Sequence, residues 1–171
     1  YPIAKNIHYK HILSKTIVPS GYGERIQTRC FDLARQIVDA FDYIGTMGVE
    51  LFVTPEGTVL VNEIAPRTHN SGHFTFGACQ TSQFEQHIRA ITHQSLGSTR
   101  LNTPVVMINL MGKLWQDGID FVPLLTHPNV TLHLYDKHPP RPGRKMGHFL
   151  MTGQDIDSVS QSASKLFKDL I

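Results

Sequence analysis

One stretch limits the fold of this chain more than any other. Residues 49–64 read Val-Glu-Leu-Phe-Val-Thr-Pro-Glu-Gly-Thr-Val-Leu-Val-Asn-Glu-Ile. Two runs rich in Val, Leu and Phe flank Pro55-Glu56-Gly57, which is a hairpin signal. With Glu56-Gly57 as a two-residue turn, Pro55 faces Thr58, and counting outward sets Glu50 opposite Glu63. Two carboxylates opposed across a sheet repel and destabilise the pair. A cation between them removes that penalty. Hard oxygen ligands suit Mg²⁺, which is commonly held by one or two carboxylates plus substrate phosphates. Glu50 and Glu63 are therefore candidate metal ligands, with Asn62 beside them. The competing reading is a solvent-facing hairpin whose glutamates pair with Lys or Arg. A register slip of one residue would move one carboxylate to the other face.

Composition narrows the setting. The chain has 171 residues, 40% hydrophobic and 18% charged, which suits a globular protein with one good core or a main core plus a small one. A net charge of +2 is too small to argue for nucleic acid. No apolar run reaches the length of a membrane span, and no signal-peptide pattern is visible. The ten histidines are scattered without metal-ligand spacing. Cys30 and Cys79 form no CxxC pattern and read as small buried hydrophobes, which fits a reducing cytoplasm. The chain opens directly on an extended apolar segment, Tyr1-Pro2-Ile3, as part of a longer protein would.

Around the hairpin the pattern is α+β. Residues 1–8 and 11–18 read as paired strands. Ile26, Cys30, Leu33, Ala34, Ile37, Val38 and Phe41 recur at helical spacing and predict an amphipathic helix over 23–42, its striped face covering a sheet. Two strands before a helix and a hairpin after it suggest one antiparallel sheet covered on one side, not a doubly wound parallel sheet. Ser82, with Glu85 at the capping-box position, predicts a helix start, with Phe84, His87, Ile88 and Ile91 on one apolar face. Strands are expected at 104–112, 130–135 and 145–151, a short helix at 120–125 and a closing helix at 155–170. The expected division is one region over 1–100 and a small α+β, β-rich region over 101–171, with a soft boundary near Leu101.

Two loops are dense in groups that recognise polar substrates. Arg67-Thr68-His69-Asn70-Ser71-Gly72-His73 offers a guanidinium fork for carboxylate or phosphate, an amide and two imidazoles. An ordinary turn satisfying its own backbone is an equal alternative. Lys137-His138-Pro139-Pro140-Arg141-Pro142-Gly143-Arg144-Lys145 is a stiff basic loop, an anion cradle or a solvated charged loop.

The wording of several motifs goes further than their pattern. Val49-Glu50-Leu51-Phe52-Val53-Thr54, Val61-Asn62-Glu63-Ile64-Ala65-Pro66-Arg67, His69-Asn70-Ser71-Gly72-His73, Thr81-Ser82-Gln83-Phe84-Glu85-Gln86-His87 and Arg141-Pro142-Gly143-Arg144-Lys145-Met146-Gly147-His148 together resemble the 5-(carboxyamino)imidazole ribonucleotide synthases, ATP-grasp enzymes of purine biosynthesis. The resemblance runs over essentially the whole chain but matches only the C-terminal half of such enzymes. It implies the C-terminal part of an ATP-grasp domain, an antiparallel sheet covered by helices, followed by a small β-rich C-terminal domain. It implies ATP and Mg²⁺ as cofactors, and bicarbonate and 5-aminoimidazole ribonucleotide as substrates, with carboxyphosphate between them. By the same carry-over Glu50 and Glu63 hold Mg²⁺, and Asn62 and Glu63 lie against ATP. Arg67 acts at the reacting carboxyphosphate, and His69 and Asn70 face the acceptor. Lys137 and Arg144 hold the ribonucleotide phosphate. Thr68 departs from the family, which commonly has proline there. The missing N-terminal half is the implied partner, so the chain alone is expected to be inactive. Another ATP-grasp carboxylate–amine ligase, or a non-catalytic binding or homodimerisation module, is the alternative.

Overall fold

A computed structural model describes residues 1–170. In chain order the elements are β1 (Lys5–Tyr9), β2 (Ile12–Val18), α1 (Glu24–Phe41), β3 (Gly48–Val53), β4 (Val59–Ala65), α2 (Thr75–Ala78), α3 (Gln83–Ile91), β5 (Val105–Met111), α4 (Gly112–Gln116), α5 (Val122–Thr126), β6 (Val130–Leu134), β7 (Lys145–Thr152) and α6 (Ile156–Lys168). The chain divides into two compact units. One comprises Tyr1–Ile3 and Ser20–Leu101; the other comprises Ala4–Pro19 and the described residues from Asn102 onward.

In the first unit α1 forms where its apolar spacing predicts. Cys30 is buried, Ile26, Leu33, Ala34, Ile37 and Val38 are half-buried on the same stripe, and Phe41 at its end is exposed. The helix stops at Asp42, which takes a left-handed conformation with φ 47°. The Asp42 N–H bonds to the Asp39 carbonyl (3.3 Å) and the Tyr43 N–H to the Val38 carbonyl (3.2 Å), a paired capping pattern in which aspartate stands where glycine is usual.

The hairpin β3–β4 carries Glu50 directly opposite Glu63, as the sequence count requires, but by a different route. The turn is not two residues long. The Gly57 N–H bonds to the Thr54 carbonyl (2.9 Å) and the Thr54 N–H to the Thr58 carbonyl (2.9 Å), closing a three-residue loop. Gly57 takes φ +83°, the left-handed position such loops demand. Val53 therefore pairs with Val59 and Leu51 with Val61, one residue away from the two-residue count. A bulge between those pairs and Glu50 then inserts Asn62 as the extra residue and restores the opposition. Two displacements of one residue cancel.

The second unit is built on a five-stranded antiparallel sheet in the order β1-β2-β5-β7-β6. β5 is buried from Val105 to Leu110, so both its faces are covered and both its edges need partners. β7 fills one edge and β2 the other, with Val18 opposite Val105 and Lys15 opposite Ile108. The first hairpin thus joins the sheet of residues far along the chain rather than the β3–β4 hairpin, contrary to the single sheet expected from element order. The core collects Val106, Ile108, Leu110, Phe149, Val159 and Ala163, among others. Trp115 packs against it, edge-on to Phe121 at 5.5 Å. Helix α6 starts where Asp155 accepts from the Ser158 N–H (2.8 Å), an N-cap that also holds the Asp155 carboxyl below its usual range. Val159 and Ala163 face inward. The five-residue α4 was not anticipated; α5 begins two residues after the expected start.

Candidate functional site

In the first unit, β3 and β4 set the carboxylates and the segment after β4 returns towards them. Strand β4 ends in a γ-turn around Pro66, with the Arg67 N–H on the Ala65 carbonyl at 2.7 Å. His69 is extended, and Asn70–Gly72 form one 3-10 turn. This brings His69 back to the hairpin. Its Nε2 lies 3.8 Å from Glu50 Oε1, with side-chain exposures of 15% for His69 and 19% for Glu50. The Asn62 amide reaches the other Glu50 oxygen at 3.5 Å, the outer limit of a hydrogen bond. His69 Nδ1 and Ser71 Oγ are 2.8 Å apart. With the ring proton on Nε2 towards Glu50, Nδ1 accepts from the Ser71 hydroxyl.

His69 and Asn62 are therefore both drawn to Glu50, and Glu63 stands opposite Glu50 in the strand register. Asn62 and Glu63 are solvent-exposed, Glu50 is half-buried. Among the described residues no three His, Cys, Asp or Glu side chains converge as a metal cage. Two opposed carboxylates without a third protein ligand match a hard cation whose remaining ligands are water and phosphate oxygens, so the residues fit Mg²⁺ better than a structural metal. Arg67 is exposed, and its guanidinium donates to the adjacent Thr68 carbonyl at 3.0 Å. Asn70 begins the 3-10 turn.

Lys137 and Arg144 belong to the second unit, in the loop between β6 and β7. Lys137 Nζ sits over the Tyr135 ring, 4.8 Å from its centroid. The Tyr135 hydroxyl is 2.6 Å from His148 Nδ1, and the His148 ring stacks on His133 at 4.6 Å. Arg144 donates to the carbonyls of His138 (2.8 Å) and Pro139 (3.2 Å), so it braces the loop from inside. Both cations are half-buried rather than waving in solvent.

Residue-type reasoning overlooked Gln83, Ser71 and Thr75. Helix α3 inverts its expected polarity: Phe84, Ile88 and Ile91 are 41–54% exposed, whereas Gln83 is 2% exposed. A glutamine immediately after a serine cap was the available signal. Ser82 does cap, accepting from the Glu85 N–H at 3.1 Å, but the Glu85 carboxylate binds Arg89 instead of closing a capping box. His87 accepts from the Thr46 N–H at 3.1 Å and serves the structure of that loop. Both cysteines are buried and free, and burial pushes Cys79 up to about 11, so neither is an activated thiol.

Comparison with known proteins gives this geometry a family. The model of the ATP-grasp domain matches residues 1–84, and that of the phosphoribosylaminoimidazole carboxylase C-terminal domain matches residues 105–162. The N5-carboxyaminoimidazole ribonucleotide synthase of Bacillus subtilis is 43% identical over 164 residues, covering 94% of this chain and 42% of its own length. Its counterpart in Brucella melitensis is 44% identical over 149 residues, covering 86% of this chain and 40% of its own. A solved ADP complex of an N5-carboxyaminoimidazole ribonucleotide synthetase superposes with a TM-score of 0.87 at 40% identity, over 98% of this chain and 44% of that one. The Aspergillus clavatus enzyme, solved with ADP and 5-aminoimidazole ribonucleotide, gives 0.88 at 31%, over 98% and 46%. The fold and these matches define part of an ATP-grasp protein. Within that class, the chain belongs to the N5-carboxyaminoimidazole ribonucleotide synthase family. It spans less than half the length of these relatives. Among the described residues no helix is long and apolar enough to cross a membrane.

Proposed function

We propose that this chain forms the carboxylate-bearing and acceptor-facing part of an ATP- and bicarbonate-dependent ligase. The full protein would carboxylate 5-aminoimidazole ribonucleotide to 5-(carboxyamino)imidazole ribonucleotide in purine biosynthesis. The observation that carries the reading is the opposition of Glu50 and Glu63, with Asn62 and His69 drawn to the same carboxylate. Glu50 and Glu63 would hold Mg²⁺, and Asn62 and Glu63 would lie against ATP. When bound, the metal neutralises phosphate charge during phosphoryl transfer. Arg67, exposed on its loop, would stabilise negative charge on carboxyphosphate. His69 and Asn70 would orient the aminoimidazole. Lys137, held over Tyr135, and Arg144, tied to the loop, would take the ribonucleotide phosphate at little entropic cost.

The remainder of the ATP site would come from the portion of such enzymes that this chain does not span. The division at residues 1–100 and 101–171 is kept as one of family modules, supported by matches that end at 84 and resume at 105. Two buried free thiols suit a cytoplasmic setting, and a homodimer is a further expectation, checked by sedimentation of the full protein.

The test is phosphate release from ATP by the full-length protein with bicarbonate, with and without 5-aminoimidazole ribonucleotide. Acceptor-dependent product formation is expected. Glu50→Gln and Glu63→Gln should each lower it by at least about 10–100-fold, the range for disturbed metal environments. Product from another amine would favour a different ATP-grasp ligase, and no turnover would favour a binding or dimerisation module. Normal rates in both variants would remove the metal assignment.

A further inference from the structure

Beside the site, Gln83, the first residue of α3, is a long polar side chain that is almost fully buried. Its carbonyl oxygen accepts from the His69 backbone N–H (2.9 Å), and its amide nitrogen donates to the His69 carbonyl (2.8 Å) and to His73 Nδ1 (2.8 Å). The backbone decides which end of the amide is which, because an N–H requires the oxygen and a carbonyl requires the NH₂. His73 consequently accepts at Nδ1 and carries no proton there. His69 is extended, at φ −123° and ψ 149°, and Gln83 gives it both bonds that a neighbouring strand would give.

Two further observations point to a fitted clamp. At Gly72 a Cβ would lie 2.6 Å from Gln83 Oε1, so only a residue without a side chain leaves room for the amide. The Gln83 N–H is received by Thr75 Oγ1 (2.9 Å), which itself donates to the Gly72 carbonyl (2.6 Å). Helix formation does not call for any of this, since Ser82 already caps α3.

We infer that Gln83 is a positioning residue, which clamps the His69 backbone so that the imidazole stands between Ser71 and Glu50 in register with the acceptor. The inference rests on the acceptor-facing role proposed for His69. A shift of about 1 Å in such a group can cost on the order of 10²-fold in rate.

The experiment uses the full-length protein with Gln83→Leu, Gln83→Glu and Gly72→Ala. Gln83→Leu removes all three bonds. Gln83→Glu keeps the acceptor for the His69 N–H and loses both donors. Gly72→Ala pushes the amide away from the opposite side and serves if Gln83→Leu does not fold. The expected result is a fall in kcat/KM for 5-aminoimidazole ribonucleotide of about 10²-fold in Gln83→Leu, an intermediate fall in Gln83→Glu, and an unchanged KM for ATP. Hydrogen exchange should rise in residues 67–74 and stay unchanged in β3, β4 and α6. Unchanged acceptor kinetics, or acceptor and ATP parameters lost together with exchange rising everywhere, would overturn the inference. If wild-type protein shows no acceptor-dependent turnover, the functional reading fails, and the exchange measurement alone judges the clamp: no local rise at 67–74 overturns it, a local rise supports it.

Discussion

At Gly57 a single backbone angle decides the hairpin. Its φ of +83° lies where an L side chain crowds its own carbonyl, and an added Cβ would meet Arg25 Nη2 at 3.0 Å. Gly57→Ala should lower stability by about 1–2 kcal/mol, read as a lower urea midpoint with an unchanged slope. The same residue explains why a correct expectation about Glu50 and Glu63 rested on an incorrect turn. Counting from a two-residue turn misplaces Val53, Phe52 and Leu51 by one partner, and Asn62 corrects the count. Residue types announced a hairpin and two acidic positions. They did not announce the bulge, because an extra residue in a strand leaves no compositional mark when its side chain is polar on an exposed edge.

Among the elements, α3 does more than its sequence pattern suggests. Gln83 clamps His69, Gln86 exchanges two 2.8 Å bonds with Gly97, and His87 holds Thr46, so one short helix fixes three separate loops through polar side chains. Periodicity detects apolar stripes and is blind to such clamps. The pair β6–β7 carries a different consequence. Burial lowers the His133 pKa from 6.5, and its ring stacks on His148. A histidine with a depressed folded pKa stabilises the native state fully above its unfolded value, and that contribution is lost as pH falls through the folded value. Stability should therefore decline from about pH 6.5 downward. His133→Phe, which keeps a ring but cannot charge, should shrink the difference between urea midpoints at about pH 7.5 and about pH 5.5. An equal difference in wild type and variant would assign the pH dependence to other groups.

For the molecule as a whole, the chain spans 40–46% of the relatives and structures compared with it above. The proposed ATP site needs groups from outside that span, so the chain by itself should show no ATP- and bicarbonate-dependent carboxylation. Turnover by the purified chain would overturn that expectation. By itself the sequence determined what depends on neighbours along the chain: α1 with its stop at Asp42, the two runs of the hairpin, the caps at Ser82 and Asp155, and motif wording specific enough to indicate a family. Tertiary structure decided what depends on distant partners. The buried strand β5 took β2 as its neighbour because both its edges had to be hydrogen-bonded away from water, and that pairing placed the first hairpin in the later unit. Burial likewise gave Gln83 its meaning, because an amide excluded from solvent must find its partners within the fold, and those it found belong to His69 and His73.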